Sequence, residues 1–263
     1  MTPRCLAAAA LILAFIAADD AQAAESCRKF GPQAPRDIAD AKGANPLKFS
    51  LALPAAQLNL CNIHFHAHAE HKGPGFARLA VSDAGEHDGF RCNGTRAMSA
   101  DELTPPKAKT CGTLRPGDSI EVHWVYTSCD VTPGAGLASC MSPQCANPVL
   151  RVESQVFLLT NGGAGADFAD FDYAGGVVGG VHQPKRLPAD SGEPVVFRGS
   201  TTGPAFTEQT CSPLQVTWSV RPDCAKLDIA SLGRWCETNH VGERYPHGVR
   251  RLVTAPELLS KIE

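Results

Sequence analysis

The stretch Asn62-Ile63-His64-Phe65-His66-Ala67-His68-Ala69-Glu70-His71 decides how the rest of the chain is read. Four of the nine histidines fall within its last eight residues. If the stretch is a strand, its side chains alternate between faces with period two. Asn62, His64, His66 and His68 then share one face, and Ile63, Phe65, Ala67 and Ala69 share an apolar face suited to packing. Neutral imidazole is a common metal ligand, so a row of imidazoles on a rigid strand is a candidate metal site. A histidine-rich surface strand would account for a single such residue. It accounts less well for His-x-His with Glu70 close behind.

A second strand carries the same pattern. Arg115-Pro116-Gly117-Asp118 is a turn signal leading into Ser119-Ile120-Glu121-Val122-His123-Trp124-Val125-Tyr126. Here Glu121, His123 and Val125 face one way, and Ile120, Val122, Trp124 and Tyr126 face the other. Adjacent antiparallel strands lie about 4.8 Å apart. His64 and His66 from one strand can therefore meet His123 from another around one ion. Zinc suits such a three-nitrogen site, with a fourth position left for water.

The chain around these strands reads as an exported protein. Arg4, the apolar run Leu6 to Ala18 and Ala21-Gln22-Ala23 have the layout of a signal peptide over residues 1–23. The apolar run is short for a membrane span, so no stable membrane anchor is expected after cleavage. Removing Arg4, Asp19 and Asp20 leaves 23 basic and 25 acidic residues, a balance that offers nucleic acid no basic partner surface. Cysteines 27, 61, 92, 111, 129, 140, 145, 211, 224 and 236 remain. Their even number in an exported chain predicts a disulfide framework of up to five bridges, and a periplasmic or secreted location. No Cys-x-x-Cys is present, which argues against a zinc knuckle.

Twenty prolines and 24 glycines fall mostly between short apolar segments. The expected fold is mainly β with short helices: a single domain, residues 24–263, around a central, largely antiparallel twisted β-sheet. Asn147 to Asn161 reads as a central strand, with further strands at Pro194 to Arg198 and within Cys211 to Val220. Ser99-x-x-Glu102 resembles a capping box, and Pro256-Glu257-Leu258-Leu259 reads as a short helix. Glu153 and Gln155 share a face and are candidates to line a pocket. Asp167, Asp170 and Asp172 lack an EF-hand pattern.

The segments Leu60 to His66, Ala69-Glu70-His71-Lys72-Gly73 and Glu121-Val122-His123-Trp124 together resemble carbonic anhydrases of the delta class, over roughly residues 50 to 255. A looser resemblance runs to the alpha class, through the same histidines and through Gly199-Ser200-Thr201-Thr202 and Val216-Thr217-Trp218. The resemblance implies an alpha-carbonic-anhydrase-like fold. It also implies reversible hydration of carbon dioxide to bicarbonate and a proton by attack of a zinc-bound hydroxide. His64, His66 and His123 are then the metal ligands, and cobalt or cadmium could replace zinc. By the same resemblance, Asn62 and Glu121 accept ring N–H groups of ligands, and Glu70 accepts from the hydroxyl of Thr201 or Thr202. Gly203-Pro204 departs from the alpha pattern, so the choice between the two threonines stays open. A Glu70–Lys72 surface ion pair is the bland alternative. His68, His71 and His87 are candidates for proton export, with none preferred. His240 and His247 are ligand candidates only if the first set fails. Two rival readings remain. One is a cupin-type metal enzyme, whose His-x-His-x3-Glu spacing would make Glu70 a ligand; the other is a non-catalytic exported metal-binding protein.

Overall fold

A computed structural model describes residues 30–35, 37–40, 42–80, 89–163, 165–202, 206, 210–249 and 253–262. The leader at 1–23, Cys27, His87 and Gly203-Pro204 lie outside the described residues. The strands are β1 (Asn59–Ala67), β2 (Arg78–Leu79), β3 (Phe90–Arg91), β4 (Ser119–Thr127), β5 (Leu150–Thr160), β6 (Val177–Val178), β7 (Val181–His182), β8 (Val195–Ser200), β9 (Gln215–Val220), β10 (Ala225–Asp228) and β11 (His247–Gly248). The α-helices are α1 (Ala100–Leu103) and α2 (Ile229–Thr238).

Seven strands form one sheet in the order β11-β1-β4-β5-β9-β8, with β10 beside the second half of β5. The β1–β4, β4–β5 and β8–β9 ladders are antiparallel, and β1–β11, β5–β9 and β5–β10 are parallel. The sheet is therefore mixed, with the two longest ladders antiparallel. β5 is its middle because both of its faces are apolar: Phe157 and Leu159 pack on one side, and Val152, Val156 and Leu158 on the other. Near-continuous apolar sequence is what burial on both faces selects.

A core lies on each side of the sheet. The first gathers Ile63, Phe65, Val122, Trp124, Tyr126 and the α2 residues Leu232 and Trp235. The second gathers Val125, Val152, Phe197, Val216, Trp218 and Val220. β4 alternates as its sequence requires, with Ile120, Val122, Trp124 and Tyr126 all in the first core.

β1 does not alternate uniformly. Its register against β4 slips between Leu60 and Asn62, so Cys61 is the extra residue of a β-bulge. Leu60 and Ile63, three residues apart, consequently enter the same core, while Cys61 joins the other. At the far end His68 takes a left-handed backbone, φ 70°. Its N–H donates to the Ser119 carbonyl at 2.8 Å, and Ala69, Glu70 and His71 are all buried beyond it.

The capping box at Ser99 forms as expected: the Ser99 hydroxyl accepts from Glu102 N–H and the Glu102 carboxylate accepts from Ser99 N–H. Residues 256–259 make a turn rather than the expected helix. Residues 44 and 45, ahead of β1, take their carbonyls instead: Ala44 N–H donates to Pro256 O at 2.7 Å and Asn45 N–H to Leu259 O at 2.9 Å. Helix α2 was not singled out in the sequence. It starts on Asp228, whose carboxylate accepts from Ser231 N–H at 2.6 Å. Disulfides join Cys61–Cys140, Cys92–Cys224, Cys111–Cys236 and Cys129–Cys145, and Cys211 is disulfide-bonded as well. No helix among the described residues is long and apolar enough to cross a membrane.

Candidate metal centre

Antiparallel pairing of β1 and β4 sets His64 directly opposite His123, and His66 opposite Glu121. Alternation puts His66 on the same face as His64, so three imidazoles converge. Their ring centroids are 5.4 Å (His64–His66), 5.0 Å (His64–His123) and 5.0 Å (His66–His123) apart. One nitrogen from each lies within 4.8 Å of the other two, the arrangement a single ion needs.

The second nitrogen of each ring decides which one faces inward. His64 Nδ1 lies 2.7 Å from the Asn62 Oδ1 atom, an acceptor only, so Nδ1 carries the hydrogen. His66 Nδ1 lies 3.2 Å from the Gly248 carbonyl, on β11. His123 Nε2 faces Glu121 Oε1 at 3.2 Å. The inward atoms are therefore His64 Nε2, His66 Nε2 and His123 Nδ1, each with a lone pair. His64 Nε2 and His123 Nδ1 are 3.2 Å apart. Two lone pairs held that close repel unless a cation lies between them. A tetrahedral zinc with Zn–N bonds of about 2.0–2.1 Å would set them about 3.3–3.4 Å apart. The donor set thus fits a divalent metal ion.

Glu121 also belongs to a second possible grouping, with His71 and His123. Its oxygens, however, are already engaged. Oε1 takes the Ser154 hydroxyl at 2.6 Å and His71 Nδ1 at 2.7 Å; Oε2 takes the N–H groups of Glu70 at 2.6 Å and His71 at 3.2 Å. Such a carboxylate orients a ligand rather than being one. Burial alone would raise its pKa. The neighbouring His71 and His123 rings, 2.7 and 3.2 Å from Oε1, outweigh burial and hold it well below the usual carboxylate range. Burial pushes His123 down, against the pull of Glu121, which favours the neutral ring a metal requires.

The two threonines part company here. Thr202 donates its hydroxyl to Glu70 Oε2 at 3.0 Å, whereas Thr201 shares a 2.6 Å hydrogen bond with the buried Ser212 hydroxyl. Lys72 pairs with Asp37 at 2.6 Å, so the Glu70–Lys72 alternative does not form. Burial pushes Glu70 up. A small pocket, open to solvent on one side, lies beside His64, His123, Thr201 and Thr202. Its remaining wall is apolar: Val125, Leu137, Leu150, Val152, Val216 and Trp218. Five of these are register partners across β4, β5 and β9, as Val125↔Val152, Val152↔Trp218 and Leu150↔Val216 show, so the wall is one continuous patch.

A model of the family described as delta carbonic anhydrase matches residues 55–231, well over half of the chain. The chain belongs to the delta carbonic anhydrase family. No curated protein matches it. Among solved structures it is similar to an alpha-carbonic anhydrase from Thermovibrio ammonificans in complex with the inhibitor sulfanilamide. That likeness has 16% identity and a TM-score of 0.28, over 84% of this chain and 86% of that one. Photobacterium profundum alpha-carbonic anhydrase is similar at 14% identity and a TM-score of 0.25, over 84% and 88%. This delta carbonic anhydrase is thus an enzyme that hydrates carbon dioxide, and the cupin reading falls with the family match.

Glu153 and Gln155, the two candidates to line a pocket, do not enter the centre, and neither do the acids of the 167–172 segment. Glu153 pairs with Arg151 at 2.5 Å, and Gln155 Nε2 donates to the Asp223 carbonyl at 2.9 Å, so both are structural in this enzyme. Asp170 pairs with Arg186, and Asp172 accepts from the Trp235 indole. Sequence reading left His71 unassigned; it is the principal partner of Glu121. His247, held back as a reserve ligand, stands 5.5 Å from His64 and 5.6 Å from His66 between ring centroids and pairs with Glu243 at 3.0 Å. It reaches them because β11 runs parallel to β1, a pairing no local pattern announces.

Proposed function

We propose that this carbonic anhydrase works on a zinc ion held by His64 Nε2, His66 Nε2 and His123 Nδ1, and converts carbon dioxide reversibly to bicarbonate and a proton. The observation that carries the metal assignment is the 3.2 Å approach of two ring nitrogens whose outer nitrogens face acceptors. Three neutral imidazoles suit zinc, with cobalt or cadmium as substitutes. When bound, the ion supplies Lewis acidity; carbonic anhydrases are themselves the standard case of zinc bringing the pKa of water from ~15.7 to ~7.

The chain's own residues do the rest. Asn62, the Gly248 carbonyl and Glu121 keep the three rings in the tautomers that leave lone pairs inward. Thr202 has its proton committed to Glu70, so its oxygen can only accept. It therefore holds the proton of the attacking oxygen and turns that oxygen's lone pair toward the cavity. The apolar wall of Val125, Val152, Val216 and Trp218 suits carbon dioxide, which donates no hydrogen bond and has no dipole, and it keeps bulk water off the reacting carbon. The disulfide framework fits an oxidising location, so we place the enzyme in the periplasm or outside the cell.

Stopped-flow hydration of carbon dioxide by the zinc-loaded protein, with a sulfonamide control, tests the activity. A rate no higher than buffer in a metal-replete sample would sink the reading. His123→Ala should lose bound zinc by elemental analysis; full retention would remove His123 from the ligand set.

A further inference from the structure

We propose that the backbone carbonyl of Gly134, held in place by Ser139 and the Cys61–Cys140 bridge, sets the tautomer of His64 through Asn62, and is a positioning element of the metal centre. The inference rests on the reading of His64 as a metal ligand.

The Asn62 carboxamide has one end that accepts and one that donates. Turned the other way, its NH2 would face His64 Nδ1. The ring would then carry its hydrogen on Nε2, pointing at His123 Nδ1, with no lone pair for an ion. The choice is made by the other contact of the same amide. Asn62 Nδ2 donates to the Gly134 carbonyl at 2.8 Å. A carbonyl can only accept, so it claims the NH2 end and leaves Oδ1 for His64 at 2.7 Å. A main-chain oxygen 72 residues downstream of Asn62 thereby selects the protonation site of the ring.

The Gly134 peptide is itself fastened to the neighbouring residue of β1. Its N–H donates to the Cys61 carbonyl at 2.9 Å. The Ser139 hydroxyl stands 2.7 Å from that carbonyl, 2.6 Å from the Gly136 carbonyl and 3.3 Å from that of Gly134. The adjacent Cys140 is bonded to Cys61. These contacts converge on Cys61 because it is the bulge residue, without a partner residue in the β4 ladder. In a regular strand, Cys61 would face the opposite side from Asn62. The bulge sends both to the metal side, where one loop can grip them together. Leu137, between the gripping residues, is a wall of the cavity, so the same clamp also places an apolar surface beside the substrate.

The test uses the full-length protein with Ser139→Ala, the paired substitution Cys61→Ser with Cys140→Ser, and Cys111→Ser with Cys236→Ser as a remote-bridge control. Zinc affinity is read by chelator competition. The His64 tautomer is read by imidazole ¹⁵N shifts in metal-free protein at alkaline pH, where the ring is neutral. The paired clamp variant should lose the pure Nδ1–H tautomer and bind zinc roughly tenfold more weakly. Ser139→Ala should move both readouts in the same direction by less, and the control should move neither. If the paired variant does not fold, Ser139→Ala decides. Clamp variants that keep a pure Nδ1–H tautomer and native zinc affinity, whatever their loss of stability, overturn the proposal. His64→Ala separates the two levels: full zinc content in that variant would refute the ligand reading itself.

Discussion

Thr201 and Thr202 are neighbours with different duties, and the difference is measurable. Thr202→Val removes the hydrogen bond to Glu70, so turnover should fall by roughly 10–100-fold with zinc content unchanged. Thr201→Val leaves the buried Ser212 hydroxyl without its 2.6 Å partner and should cost about 1–3 kcal/mol in urea unfolding, with a smaller effect on turnover. Equal turnover losses in the two variants would contradict the assignment. At this scale alternation alone was enough to put His64 with His66, and Glu121 with His123, on one face of its strand, because period two is a property of the backbone. It could not separate the threonines. That depends on where Glu70 sits, 132 residues away along the chain.

Elements are joined by contacts that make their own predictions. Lys226 on β10 and Ser99 hold the Glu102 carboxyl of α1 down at about 2, from an ordinary 4.5. A depressed acid stabilises the fold above its unfolded pKa. That contribution is present above pH ~4.5 and is lost as pH falls toward ~2. Glu102→Gln should therefore be less stable at pH 7 and show a shallower stability loss between those two pH values, as read by denaturant midpoints along a pH series. Gly233 of α2 lies against the 109–110 segment, and a Cβ there would collide with the Lys109 carbonyl oxygen. Gly233→Ala should thus destabilise by about 1–3 kcal/mol, although alanine is the better helix former by about 1 kcal/mol. A gain in melting temperature would show that the two backbones are not in contact. The β1 bulge is only half visible in the sequence. Within Gln57 to His68 the apolar residues change parity, from Leu58 and Leu60 to Ile63 and Phe65, but that Cys61 takes up the slip is settled only by pairing with β4.

Across the whole molecule, disulfides tie distant parts of the chain to the sheet. Cys92–Cys224 closes a separation of 132 residues and joins the segment after β3 to the turn before β10. Replacing both cysteines with serine should lower stability by about 2–5 kcal/mol in urea unfolding. Because neither cysteine touches the metal cluster, zinc affinity should stay at its native value in the folded fraction. An even cysteine count implied bridges, but pairing is set by which turns the sheet brings together. The mixed character of the sheet has the same origin, since β9, β10 and β11 add parallel ladders that strand patterns cannot reveal.

By itself the sequence determined two strand faces, the three imidazoles on them, the carboxylate two residues from His123, and the apolar backing that buries both strands. Those follow from alternation and side-chain chemistry, which are local. Only the tertiary structure decided what completes each ring: the Gly248 carbonyl for His66, the Gly134 carbonyl behind Asn62 for His64, and Glu121 braced by His71 for His123. Backbone carbonyls look alike in every sequence. They become specific partners only when the chain's path brings one of them within hydrogen-bond distance of a ring.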